Sequence, residues 1–417
     1  TKRASRAQKR DFVPPTGLEP VRPYGHRPST CCVCQFHHGG EYAPSIRHEP
    51  QLSTALHVLY NAVCIEGQNH AKGATMRIAL DAMGSDHFPQ PDVEGAVRAA
   101  RRYGHEIVLV GRREAIEAEL AKHDTAGLHL TIAHATEMVT MGEHPSQAVR
   151  AKPDASIVVG MGLLRDGQVD ALVSAGNSGG VLAATLASKG RIGRIPGIKR
   201  PAISTVLPNM QGFSFVLDIG ANTDAKPEWL AQYAVMGRAY ARHVLGIAEP
   251  RLALLSNGEE KIKGNQLVQD THALLDRLGV ETIGNVEGKD LVRGLADVIV
   301  TDGFVGNVAI KTAEGVAGML LTLIKQEIKS GPLSMLGGLL ARPALKRVAK
   351  VLDFREYGGA PLLGVNGVVI IGHGRSDAVA VENMVRVAAE AVQNDLVAHV
   401  RDDVAATLTG LEQGEDA

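Results

Sequence analysis

Arg77-Ile78-Ala79-Leu80-Asp81-Ala82-Met83-Gly84-Ser85-Asp86 runs from a short apolar segment straight into a polar turn that carries glycine. The arrangement returns along the chain. Short runs rich in apolar and β-branched residues at 77–80, 107–110, 128–133, 171–174, 213–217, 252–255, 298–300 and 368–371 read as strands. Longer Ala/Leu/Arg/Glu stretches separate them. Two of these, 113–122 and 228–244, carry apolar residues at three- and four-residue steps, the helical period. This alternation predicts an α/β fold, a largely parallel sheet with flanking helices.

The chain has 417 residues, 45% of them hydrophobic, so it can bury a large core, which excludes a disordered chain or a mini-protein. With 44 Lys+Arg against 45 Asp+Glu, the net charge of -1 provides no global attraction to nucleic acid or anionic lipid, and no nucleic-acid partner is expected. The longest uncharged apolar stretches, such as 315–324, fall well short of the roughly 20 residues of a membrane-spanning helix, so no such span is expected.

Residues 1–75 follow different rules. They hold all four cysteines, Cys31, Cys32, Cys34 and Cys64, with Pro14-Pro15, clustered His and Arg, and no sustained period. They read as a disordered or artefactual extension, translated from upstream of a true start at Met76, and lack the pattern of a secretory signal. Cys31-Cys32-Val33-Cys34 beside His37-His38 is too cramped for a zinc site, and no second cysteine pair follows, so no metal is expected. The catalytic unit is expected over 76–410, with a tail at 411–417.

Ligands of parallel sheets bind beyond the carboxyl ends of strands. Five such ends are polar and glycine-rich: 81–86, 174–180, 218–222, 256–260 and 302–307. Glycine lets backbone N–H groups approach an anion, and a helix N-terminus adds partial positive charge. Any one loop can be explained as a helix cap. Five on one sheet edge point to a site.

No dinucleotide fingerprint survives, because Gly160-Met161-Gly162 lacks its third glycine, and no GxxxxGK[ST] loop occurs. Gly176-Asn177-Ser178-Gly179-Gly180 matches G-x-S-x-G, with Asp302 and His373 following in hydrolase order, so a serine esterase using Ser178 is the rival reading. An anionic substrate needs cations. Lys263, Lys311 and Lys199-Arg200 stand near the candidate loops, and His373 lies in a turn at a strand end. Together they favour a phosphate or carboxylate ligand.

Ile78-Ala79-Leu80-Asp81-Ala82-Met83-Gly84, Val173-Ser174-Ala175-Gly176-Asn177, Arg200-Pro201-Ala202, Leu217-Asp218-Ile219-Gly220-Ala221-Asn222, Gly258-Glu259-Glu260 with Lys263-Gly264-Asn265, Gly284-Asn285-Val286-Glu287-Gly288, Thr301-Asp302-Gly303-Phe304-Val305-Gly306-Asn307-Val308 and Gly358-Gly359-Ala360-Pro361-Leu362-Leu363-Gly364 occur in this order. From Met76 to about residue 400 the chain resembles the bacterial phosphate acyltransferases of phospholipid synthesis. The resemblance implies a fold like that of isopropylmalate dehydrogenase and phosphotransacetylase. It also implies transfer of a fatty acyl group from acyl carrier protein to inorganic phosphate, a cytoplasmic homodimer, and no metal or organic cofactor. The acyl-phosphate formed would pass to a downstream glycerol-3-phosphate acyltransferase. Two departures stand out: Ser85 replaces a usual Gly, and Ser178 with Gly180 replace the usual Thr and Ala, although Ser178 keeps a hydroxyl.

No cysteine follows Met76, so direct attack of phosphate on the thioester is simpler than an acyl-S-enzyme. The expected catalytic residues are Lys311, Asp302, His373 and Ser178. Lys311 and Lys263, with the Asn177 and Asn307 turns, would place phosphate; Asn177, Ser178 and Asn222 would stabilise the oxyanion. Asp302 would orient a lysine, and His373 would protonate the thiol. Asp81, Asn265 and Arg200 complete the expected substrate-binding set.

Residues 331–354 read as a protruding amphipathic helical insertion. Apolar Leu339 and Leu340 accompany a basic face of Lys346, Arg347 and Lys350. That face suits an anionic membrane or the acidic carrier protein, and a helix pair in a dimer interface has the same pattern.

Overall fold

The computed structural model describes residues 74–414. The cysteine-bearing leader lies outside the described residues, as do 415–417. The C-terminal helix, Leu396–Gly414, crosses the boundary expected at 410 without a break.

Eleven strands form one sheet in the order β3-β2-β1-β4-β11-β10-β5-β6-β9-β7-β8. In chain order they are β1 (Arg77–Asp81), β2 (Glu106–Gly111), β3 (Leu130–His134), β4 (Ala171–Ser174), β5 (Ala202–Asn209), β6 (Gly212–Leu217), β7 (Leu252–Leu255), β8 (Asn285–Val286), β9 (Val298–Val300), β10 (Ala360–Leu363) and β11 (Val368–Ile371). β4, β7 and β11 are buried at every residue, which is why they read in sequence as unbroken apolar runs.

Two parallel half-sheets make up this order. β3, β2, β1, β4 and β11 run together, as do β6, β9, β7 and β8. Between them β10 and β5 pair antiparallel with each other and with their outer neighbours. The halves therefore point in opposite directions, and five loops on one common edge, as the sequence predicts, do not form. Register brings the loops together by another route. Pro361 pairs with Ile370, Ser204 pairs with Leu217, and Ser204 Oγ donates to Pro361 O at 2.8 Å. The carboxyl ends of β11 and β6 thus reach nearly the same level from opposite sides, and both sets of loops meet at the β10/β5 joint.

The main core lies between the sheet and helices α1 (Gln90–Tyr103), α6 (Pro227–His243) and α10 (Ala378–Gln393), with Phe215, Tyr233, Leu80 and Val381 buried at its centre. The opposite face of the first half-sheet is covered by α4 (Ser156–Arg165) and α5 (Ser178–Ala187). Helices α8 (Gly303–Ile328) and α9 (Pro332–Val351) form a hairpin. It is longer than the insertion expected at 331–354, because α8 contributes too. No residue of α9 is buried, while α8 buries only Gly303, Gly306 and Ile310 near its start. By length and composition α8 alone among the described helices is long and apolar enough to cross a bilayer.

Candidate active site

Each half-sheet first stitches its own loops together. In the second half, Asp218 N–H donates to Thr301 O, Gly303 N–H to Asn222 O, and the Asn307 amide to Ile219 O at 3.0 Å. Gly306 presses so close to Asp218 O that any Cβ would collide with it, so the turn requires glycine. In the first half, Asp86 N–H donates to Gly374 O at 2.7 Å, and Gly372 N–H to Ser174 O at 2.8 Å. A Cβ on Gly84 would sit 2.8 Å from Gly176 N, so the loops after β1 and β4 are packed backbone to backbone.

Where the halves meet lies a cavity of about 480 Å³. Ser178, Asn307, Lys311, Glu314, His373 and Ser376 line its polar part. The rest is apolar, with Val206 and Leu207 of β5, Ile310, Ala317 and Leu320 of α8, and Leu352 and Met384 among the walls. The volume lies within the usual range for small-molecule sites. One face of α8 thus carries both Lys311 of the polar part and the apolar wall leading to the hairpin.

Lys311, one turn after Asn307, pairs with Glu314 through Nζ and Oε2 at 3.0 Å. His373 stands exposed at the mouth. Partial desolvation, followed by the nearby charges of Lys311 and Arg375, holds its pKa below the ordinary imidazole value. Its Nδ1 accepts the Arg375 main-chain N–H at 3.3 Å, which assigns the proton of the neutral ring to Nε2. His373 is therefore a neutral N–H donor near pH 7 instead of a charged acid.

The other expected residues have different surroundings. Asp302 accepts the Phe304 and Val305 N–H groups, both at 2.9 Å, so it caps α8. Asn177 caps α5 through Gly180 N–H, while Asn265 caps α7 (Gln266–Arg277) through Val268 N–H. Asn222 donates its amide to Pro201 O and Asp218. Arg200 lies over the Trp229 ring, and Lys263 is exposed in the loop after β7. Among the described residues no hydrogen bond links Ser178 to His373 or Asp302. The order of a serine triad is present in sequence, but its geometry is not assembled.

Asp81 is fully buried and accepts from Ser174 Oγ at 2.7 Å and from Met83 N–H at 3.1 Å. Burial raises its pKa. Asp92 beside it is pushed up to about 8, again by burial, with Ser85 Oγ donating at 2.6 Å and Oδ1 left unpartnered. The departure at Ser85 thus supplies the hydrogen bond that Asp92 receives. These carboxyls brace the loop after β1 from behind and line no part of the main cavity.

Sequence reading passed over Glu314, Arg375 and the β5 wall. Glu314 carried one signal, its place three residues after Lys311 on a helix, where side chains meet.

The model of the family described as "Fatty acid synthesis protein" matches residues 76–399. A phosphate acyltransferase from Desulfitobacterium hafniense (strain DSM 10664 / DCB-2) is 50% identical over 330 residues, covering 79% of this chain and 98% of its own. The chain belongs to the phosphate acyltransferase family. The enzyme is accordingly an acyltransferase. A phosphate acyltransferase from Geobacter sulfurreducens (strain ATCC 51573 / DSM 12127 / PCA) is 46% identical over 342 residues, covering 82% of this chain and 98% of its own. Among solved structures, the EutD phosphotransacetylase from Staphylococcus aureus matches with a TM-score of 0.51 at 16% identity, covering 82% of this chain and 99% of that one. The likeness bears on the fold alone, and agrees with the α/β architecture read from the sequence.

Proposed function

We propose that the enzyme works in the cytoplasm and moves a fatty acyl group from the thioester of acyl carrier protein to inorganic phosphate, giving acyl-phosphate for glycerolipid synthesis. The carrying observation is the cavity, with Lys311, His373, Ser178 and Asn307 in its polar part and apolar walls beyond. An acyl chain lies against the apolar part, and its carbonyl stops at the polar part. A phosphate oxygen held by Lys311 attacks that carbonyl carbon. The C–O bond forms, the tetrahedral oxyanion takes hydrogen bonds from His373 Nε2–H and the Ser178 hydroxyl, and collapse breaks the C–S bond. The sulfur departs as thiolate, so the step needs no acid.

Exposed Leu339 and Leu340, with Lys346, Arg347 and Lys350 on the same helix, support peripheral docking on an anionic lipid surface. Leu320 and Leu352, at the root of the hairpin, already line the cavity, so docking brings the acyl site close to lipid.

Incubation with palmitoyl acyl carrier protein, with and without inorganic phosphate, tests the reaction. Phosphate-dependent release of thiol together with hydroxylamine-trappable acyl-phosphate is expected. Phosphate-independent thiol release with free fatty acid would instead make the protein an esterase acting through Ser178.

A further inference from the structure

The two cations that flank Glu314, a residue of the cavity lining, come from opposite half-sheets. Lys311 stands on α8, which follows β9, and Arg375 stands in the loop that follows β11. One carboxylate oxygen serves both: Glu314 Oε2 lies 3.0 Å from Lys311 Nζ and 3.5 Å from an Arg375 guanidinium nitrogen. An anionic oxygen thus already lies between these two cations, and Glu314 itself lines the cavity.

The Arg375 main chain is held in place. Its N–H donates to His373 Nδ1 at 3.3 Å, Ser376 N–H donates to His373 O at 2.8 Å, and the loop after β1 grips Gly374 O through Asp86 N–H at 2.7 Å. Its guanidinium offers a planar fork of donors that matches two phosphate oxygens, whereas the Lys311 ammonium is a point charge. The two groups are chemically complementary ligands for one tetrahedral anion.

We propose that Arg375 is the second phosphate-binding cation, forming with Lys311 a clamp drawn from both half-sheets. Glu314 is a positioning residue that stands in for the phosphate and keeps the two cations in register until substrate displaces it. The assignment rests on the reading above, in which phosphate binds at Lys311. Lys311, Arg375 and Glu314 together carry a single net positive charge, so the carboxylate also competes with the incoming anion.

Steady-state kinetics on the full chain, varying phosphate and palmitoyl acyl carrier protein separately, tests this alongside direct titration with inorganic phosphate. Arg375→Ala is expected to raise the phosphate KM and Kd about 10- to 100-fold, the usual weight of a lost charged hydrogen-bonding pair, with the acyl-donor KM unchanged. Arg375→Lys should recover only part of that loss. Glu314→Gln, which keeps the shape and removes the competing charge, should lower the phosphate KM about three- to tenfold. A rise in that KM would overturn the stand-in role. If Arg375→Ala leaves the phosphate KM and Kd unchanged while Lys311→Ala raises them, the proposal fails and the reading of the site stands. If Lys311→Ala also changes neither, both fall. Circular dichroism melts of each variant separate these effects from unfolding.

Discussion

The Asp218 carboxylate accepts the Asn222 main-chain N–H at 2.8 Å and the Asn222 side-chain amide at 2.9 Å, closing the turn after β6 on itself. Gly220 and Ala221 donate to the same carboxylate, and Ile203 N–H reaches it from β5. Burial nonetheless raises the Asp218 pKa, which marks the cost of keeping a charge there.

Asn222 therefore serves the turn around Asp218. Asn222→Ala should cost about 1–3 kcal/mol of stability, because it leaves Pro201 O and part of the carboxylate without a donor. Urea unfolding measures that loss. The phosphate KM should change less than twofold. A variant of full stability with a raised KM would return Asn222 to the substrate.

Much of the fold was legible because half-sheet strands buried on both faces leave contiguous apolar runs; 171–174, 252–255, 298–300 and 368–371 match their strands to the residue. β5 was not legible. Its Ser204, Thr205 and Pro208 interrupt the pattern, since this strand joins two halves and walls a cavity. β8 is only two residues long, and Pro361 interrupts β10. Missing the joint meant missing the reversal between the halves. In the site, Asn177, Asn265 and Asp302 had two meanings in sequence, cap or ligand contact, and only coordinates separate them. Glu314 drew no notice in sequence because Arg375 reaches it from a loop some sixty residues later in the chain.

Ser178 lines the cavity, and among the described residues no base is hydrogen-bonded to its hydroxyl. Ser178→Ala is expected to keep phosphate-dependent transfer, with kcat reduced about 100-fold by loss of one oxyanion donor. A fluorophosphonate should leave the parent enzyme unlabelled. Labelling that disappears in Ser178→Ala would reinstate the esterase.

His373 is held below its ordinary pKa by partial desolvation and then by Lys311 and Arg375, so its neutral form predominates at about pH 7 and above. His373→Ala should lower kcat about 100-fold, the usual weight of an oxyanion donor. The ratio of parent to variant kcat should stay flat between about pH 7 and 9 and change only at lower pH. A ratio that titrates between 7 and 9 would make His373 a proton donor.

Asp92 has a folded pKa near 8, raised by burial from an ordinary value of 3.8. Between those values the folded chain binds a proton that the unfolded chain has lost, so stability is fully present at low pH and declines until the pH passes about 8. Asp92→Asn removes this loss. Its melting temperature should equal that of the parent near pH 4 and exceed it by several degrees at pH 8. Parallel melting curves across that range would place the Asp92 carboxylate in contact with water or a cation.

The hairpin carries the last prediction. Leu339 and Leu340 are 62% and 78% exposed on a helix that buries none of its residues, an arrangement water alone does not favour. Burying a leucine side chain is worth about 1.5–3 kcal/mol. Leu339→Glu with Leu340→Glu should therefore weaken binding to vesicles containing phosphatidylglycerol by at least about tenfold. The root of the hairpin forms the cavity wall, whereas these two residues lie beyond it, so transfer from carrier protein in solution should persist. Flotation and activity on the same preparation separate the two effects. If vesicle binding is unchanged while sedimentation finds that the double variant has lost a dimer, the apolar face belongs to a second copy of the chain.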